Sequence, residues 1–367
     1  MNISYDILLK VVGGLAGIYL LLSLFNVSGL TRIRTISTLL IGIILVGWLG
    51  WPMVRPADPL GAISLVDGQI TTAKVLAICA LAFAAGLFSY LTSWPKGSLT
   101  APLAAPAGMA VWVFASGDMR TLLLYNSTLA QRQQVYSALG WEGLFWLLPV
   151  LAGLIGMFAG QLLFSPSQNL PAAPAKPKTQ QEPSHLMILL THIFGVFIAA
   201  FLAEFLKKFN SKMQSFSKTK TSEPNKILFA VISAAGTVVI AQILINILAQ
   251  DVRQADAQLG SVIGQPGKGQ IAFAVFVSFL AAGLAVKYFA KTGYIVPTLC
   301  VAIVVYLAMR YAAGPAVIEN MTRNWSVAYF AKAITSILPL QMVTFGALGA
   351  FAGYQSAIKL LEGQKQA

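Results

Sequence analysis

Gln242 and Asn246 stand four residues apart in an otherwise apolar stretch. On a helix they share one face. Their amides can bond a neighbouring helix or line a polar cavity, and both readings stay open here. Thr335, Ser336 and Gln341 form a second small polar group in the last apolar segment. Ionisable side chains inside apolar segments are few, and each costs several kcal/mol to bury as a charge, on the order of the central-membrane penalty. Glu204 lies three residues before Lys207 and Lys208, where it can reach water, pair with lysine, or take a coupling role. His192 sits one or two turns inside its segment and can bond a neighbouring helix or hold a ligand. Lys287, Lys291, Arg310 and Lys332 lie near segment ends, from which long side chains reach water.

Prolines mark possible breaks in this pattern. Pro149 in Leu148-Pro149 matches Pro339 in Leu338-Pro339, and Pro102 matches Pro297 after a small gap. Proline leaves a helix carbonyl without its donor. Interrupted helices at matching places of two halves point to a substrate path, although membrane prolines also bend packed helices. The candidate path residues are therefore Pro102, Pro149, Pro297, Pro339, Gln242, Asn246, Thr335, Ser336 and Gln341. Gly156-x-x-x-Gly160 and Gly349-x-x-x-Gly353 carry the packing signal. Glycines four apart let helix backbones approach closely, so the fifth and tenth segments are expected to pack at the centre.

No catalytic set accompanies these residues. The sequence holds two histidines and two cysteines and no zinc-protease, nucleophile-elbow or phosphate-loop motif. No metal site is expected, and a haem on His192 lacks an evident second ligand apart from His185 and scattered methionines. No enzyme activity and no cofactor are expected. Cys79 and Cys300 fall in separate apolar segments and read as packing thiols.

The elements that hold these residues are set by composition. The chain is 57% hydrophobic and 10% charged, with a mean hydropathy of +0.74. Soluble domains carry about 25% charged residues, so this is an all-α polytopic membrane protein. The net charge of +13 does not imply nucleic acid. Lys207, Lys208, Lys212, Lys218, Lys220 and Lys226 crowd one loop, as expected of a cytoplasmic loop facing anionic lipid.

A span needs about 20 apolar residues. Ten segments qualify or nearly do: 6–25, 33–51, 72–93, 99–116, 143–164, 186–206, 227–248, 270–289, 294–312 and 330–356. The segment 99–116, interrupted by Pro102 and Pro106, spans or re-enters. The N-terminal segment lacks a clear cleavage site and is read as a retained helix. Residues 165–184 form a Pro-rich extended linker.

The chain also echoes itself. Arg55-Pro-Ala57-Asp58 with Leu60-Gly61 returns as Arg253-Gln-Ala255-Asp256 with Leu259-Gly260, and Ala84-Ala85-Gly86-Leu87 returns as Ala281-Ala282-Gly283-Leu284. The matches are collinear, with the Lys-rich insert at 207–226 between them, which reads as a tandem duplication. The expected plan is a first repeat at 1–164, the linker at 165–184, a second repeat at 185–359 and a tail at 360–367. Five spans in each repeat would turn the second upside down, giving an inverted-topology pair. With the loop 207–226 inside, both termini are cytoplasmic, in an inner (cytoplasmic) membrane.

Two functions fit this plan. One is a carrier or channel with its path between inverted halves, passing a small neutral solute, since mid-membrane carboxylates for ion coupling are scarce. The other is a non-catalytic structural or assembly subunit of a larger membrane complex. The expected partners are the lipid bilayer, anionic lipid at 207–226, and other membrane subunits or further copies of the chain.

Overall fold

The computed structural model describes residues 29–58, 60–66, 68, 70–93, 100–164, 223–250, 252–256, 260–264, 266–323 and 332–364. The expected spans 6–25 and 186–206, the linker, and the basic loop apart from its last residues lie outside these. The described chain is helical with one small hairpin. In the first half, α1 (Gly29–Val54) and α2 (Thr72–Thr92) are followed by a 3-10 turn (Ala101–Leu103) leading into α3 (Ala104–Ala115). Then come the short α4 (Met119–Tyr125) and the 36-residue α5 (Leu129–Phe164).

The second half has a similar helix order, with a hairpin added and its 3-10 turn set before the last helix. It runs α6 (Glu223–Leu248), the antiparallel pair β1 (Val252–Asp256) and β2 (Gly260–Gly264), α7 (Lys268–Ala290), α8 (Ile295–Ala312) and the short α9 (Pro315–Arg323). A 3-10 turn (Ala333–Ser336) then precedes α10 (Pro339–Gln364). Six helices (α1, α2, α5, α6, α7 and α8) are long and apolar enough to cross a membrane. The Ala- and Gly-rich α3 is shorter, about 18 Å at 1.5 Å per residue, and most of its residues are buried. Segment 99–116 is thus an enclosed short helix, because small side chains admit neighbours on every side.

Each half is built on one close helix pair. A Cβ on Gly156 would stand 2.0 Å from the Phe83 carbonyl oxygen of α2, and one on Gly86 would stand 1.9 Å from the Gly153 oxygen of α5. In the second half, a Cβ on Gly349 would stand 2.2 Å from the Phe276 oxygen of α7, and one on Gly353 would stand 2.1 Å from the Leu280 oxygen. Only glycine admits such approach. The two glycine pairs therefore serve contacts inside their own halves. The main close approach is not between α5 and α10, where the sequence spacing alone had placed it.

The registers of these contacts fix helix directions. Gly156 lies at Phe83 and Gly160 at Tyr90, so α2 and α5 climb together; Gly349 at Phe276 and Gly353 at Leu280 make α7 and α10 parallel. Between the halves, Gly140 of α5 faces Met309 of α8 while Gly143 faces Val305 and Ala302, so α5 and α8 run oppositely. In the second half, Tyr294 at the start of α8 stacks on Phe351 and Tyr354 of α10, and Lys332 before α10 lies over the Tyr311 ring at the end of α8. α10 therefore also opposes α8. It follows that α5 and α10, the equivalent long helices, point the same way.

An inverted pair requires them to oppose each other. It also puts Lys268 and Ser116 on opposite membrane faces, yet the Lys268 Nζ donates to the Ser116 carbonyl. The described helices thus trace two halves of like direction. The five-span count behind the inverted plan leans on 6–25 and 186–206, which are not among the described residues. The halves meet where α3 and α5 both pack on α10 and α8 packs on α5, so α5 and α10 do touch, as the spacing led one to expect, though less closely than within each half.

Candidate functional site

Loop 55–71, α4, the hairpin and α9 all gather at one end of the bundle, where α1, α3, α6 and α8 finish and α2, α5, α7 and α10 begin. There the first half builds a polar centre around Glu142, a residue on which the sequence reading laid no weight. Glu142 is 3% exposed. It accepts hydrogen bonds from the Ser64 hydroxyl, from the Leu65 N–H at 2.6 Å, from the Val66 N–H at 3.1 Å and from the Trp146 indole at 3.3 Å. A buried carboxylate is tolerated when its lone pairs are filled this way. Ala62 and Ile63 of the same loop are buried in the core, so the loop dips into the bundle and uses Glu142 to satisfy its own backbone. The available signal was that Glu142 is the only carboxylate of α5. A span boundary drawn at Gly143 had left it outside.

Two further ties hold the loop. The Gly117 N–H donates to the Gly61 carbonyl at 2.8 Å, and a Cβ on Gly117 would lie 2.2 Å from the Leu60 oxygen. Asp58 accepts from the Leu60 N–H at 3.0 Å and from the Tyr125 hydroxyl. The Tyr125 hydroxyl, and then the Leu60 N–H, hold the Asp58 carboxyl below its ordinary range, and Asp58 in turn raises the Tyr125 phenol. Asp118 caps α4 by accepting from the Thr121 N–H at 3.1 Å and its hydroxyl at 3.2 Å. Beside these ties lies an open groove of about 500 Å³. It is lined by Leu60, Ser116, Asp118, Leu124, Tyr125 and Lys268, among others.

The proline positions expected to break helices are mostly helix starts. Pro102 sits in the 3-10 turn, Pro297 in the first turn of α8 and Pro339 at the first position of α10. First-turn N–H groups have no intrahelical partner, so proline fits there without a break. Pro149 lies inside α5 and is buried. A proline that sequence reading passed over, Pro52, lies just past the π-helical turn Ile43–Trp48 of α1 and has no N–H to give the preceding turn. In the same stretch the Trp112 indole donates to the Gly47 carbonyl at 2.9 Å.

The expected path-lining groups are consumed nearer home. Asn246 donates to the Gln242 carbonyl at 2.8 Å and accepts from the Ile334 N–H at 3.4 Å. The Thr335 and Ser336 hydroxyls donate to Lys332 and Ala333 carbonyls within their own turn, at 2.7 Å each. Gln341 accepts from the Leu338 N–H at 2.9 Å, capping α10. Its Nε2 is buried without a partner, as is the Thr344 hydroxyl three residues on. Among the described residues no His, Cys, Asp and Glu group could hold a metal ion. No protein-family model, curated protein or solved structure matches this chain.

Proposed function

We propose that this chain is a non-catalytic structural or assembly subunit of a membrane complex. One observation carries the reading: the Thr335 and Ser336 hydroxyls bond inside their own turn, the Gln341 oxygen caps α10, and Asn246 bonds the Gln242 carbonyl and the Ile334 N–H. Around them, helices approach to backbone contact at Gly86, Gly156, Gly349 and Gly353. Such packing gives a rigid body whose exposed Leu, Ile and Phe side chains on α1, α5 and α6 suit lipid or other membrane helices. The two halves form a pair related about the membrane normal, consistent with the shared direction of α5 and α10. The start of α6 and the end of α10 lie at the same end of the bundle, and the basic loop 207–226 leads into α6 in sequence. That loop, and with it the C-terminus, is assigned to the cytoplasm and to contact with anionic lipid, in an inner membrane. The face bearing loop 55–71 is then external.

One observation favours the second reading, a facilitator for a small neutral solute. The Gln341 Nε2 and the Thr344 hydroxyl are buried and unpartnered on one face of α10, as groups along a narrow polar route would be. Stopped-flow swelling of proteoliposomes with glycerol and urea separates the two. A scaffold leaves rates at those of empty liposomes, and the chain extracted gently from its own membrane migrates in a defined assembly. Faster solute uptake, abolished by Gln341→Leu, would replace the structural reading with the facilitator.

A further inference from the structure

The start of α10 leaves donors over in a buried place where the nearby acceptors are engaged. The Lys332 and Ala333 carbonyls accept the Thr335 and Ser336 hydroxyls, and the Leu338 carbonyl accepts the Met342 N–H at 3.0 Å. The Gln341 oxygen is taken by the Leu338 N–H at 2.9 Å. That bond orients the amide: Nε2 shares one carbon with the bonded oxygen and so lies beside the opening of the first turn. Nε2 has no partner, nor has the Thr344 hydroxyl, and the two residues are 1% and 0% exposed. The N–H groups of Leu340 and Gln341 belong to the same first turn, where no intrahelical acceptor exists. A helix of 26 residues adds the positive end of its dipole there.

The turn Ala333–Ser336 leads from the exposed Lys332 into this place within a few residues. Gln341, Thr344 and Phe345 share one face of α10 by their spacing, and the Phe345 ring meets Phe114 of α3 at 5.9 Å. The donors thus turn toward the first half, away from the glycine face that packs on α7. Buried donors without partners call for an acceptor. Water would bring two protons of its own to a place whose acceptors are engaged, whereas a monatomic anion brings none. We propose that the start of α10 binds a halide ion, chloride in the cell. Gln341 Nε2, the Thr344 hydroxyl and the first-turn N–H groups hold it, in the manner of anions at helix N-termini. The site rests on neither reading of the function, since a held ion need not cross.

The test is thermal unfolding of the full-length protein in detergent, with sodium gluconate replaced stepwise by sodium chloride at constant ionic strength. Gluconate is too large for a fully enclosed place. The midpoint is expected to rise along a saturating curve, by about 3 °C at the plateau, as for a ligand that binds only the folded state. Bromide should act as chloride does. Thr344→Val keeps the shape of the side chain without its hydroxyl and should raise the chloride concentration for half effect about 5-fold, the scale of one hydrogen bond. Gln341→Leu should lose the rise while melting near the unsubstituted protein in gluconate, which also checks its fold. Thr344→Val decides alone if Gln341→Leu does not fold. A midpoint indifferent to chloride overturns the proposal and leaves water as the occupant; a rise that either folded variant keeps unchanged overturns it as well.

Discussion

The long helices α5 and α10 meet similar partners and begin in different ways. α5 is continuous from Leu129 through Phe164 and carries Glu142 along its course, where the carboxylate receives the donors of an inserted loop. α10 begins only at Pro339, after the turn Ala333–Ser336, and meets its donor need with its own Gln341. Beyond these first turns the two converge, for α2 lies on α5 as α7 lies on α10, with glycine at the closest points. The difference teaches that the glycine contacts form the common frame, while the polar end of each long helix is where its half is free to specialise. A buried carboxylate holds a separate piece of chain; a neutral amide holds only its own helix.

The comparison breaks most visibly at Glu142. Glu142→Leu leaves the Leu65 and Val66 N–H groups and the Ser64 hydroxyl without their acceptor in a buried place. The expected cost is about 3 kcal/mol, from unsatisfied donors at about 1–3 kcal/mol each with partial relaxation. Thermal unfolding in detergent should show it, together with faster proteolysis of loop 55–71. An unchanged loop would mean that Ala62 and Ile63 hold it by packing alone.

Next in size is a contrast within the shared frame. A Cβ on Gly353 meets the Leu280 backbone oxygen at 2.1 Å, whereas one on Gly160 meets the Tyr90 ring at 3.0 Å. Backbone must move for the first, while a side chain can rotate for the second. Gly353→Ala should therefore destabilise by about 2 kcal/mol, in the overpacking range, and Gly160→Ala by clearly less. Equal melting temperatures would remove the claim that backbone contact makes Gly353 less tolerant of a side chain than Gly160.

Gln341→Leu tests the start of α10. It removes one cap acceptor together with a buried Nε2 that has no partner, so the two effects oppose each other. The net change should stay within about 1 kcal/mol, far below that of Glu142→Leu. A loss as large as at Glu142 would make the polar ends of α5 and α10 equivalent after all.

The smallest effect concerns the exposed tie at Asp58. Its carboxyl is lowered by the Tyr125 hydroxyl and the Leu60 N–H, so the ionised form is favoured in the folded state. The tie is present above the ordinary carboxylate range and is lost as pH falls through the lowered value. Tyr125 is raised, so its hydroxyl keeps donating up to and beyond its ordinary range. Protection of loop 55–71 from proteolysis should be flat through neutral pH and fall only in strong acid. Asp58→Asn should flatten that acid limb, with little change at pH 7.

Much of this protein is decided by its sequence. Apolar runs of about 20 residues have no stable alternative to helices in a bilayer, because hydrocarbon offers no partner to a bare peptide group. Composition alone thus determined the class and most helix positions, and the glycine spacing marked positions of close approach but not the helix that approaches them. Direction was not legible in the same way. It depends on the parity of crossings, and one added or missing span reverses everything after it, whereas the contacts of Gly140, Gly143 and Tyr294 read direction directly. The role of Glu142 also needed the fold. Its partners at Ser64, Leu65 and Val66 lie more than 70 residues away, and two of the donors are backbone groups, which every residue type has. Only tertiary structure can decide which backbone reaches a carboxylate, since that choice is set by how a loop turns and not by the identity of its side chains.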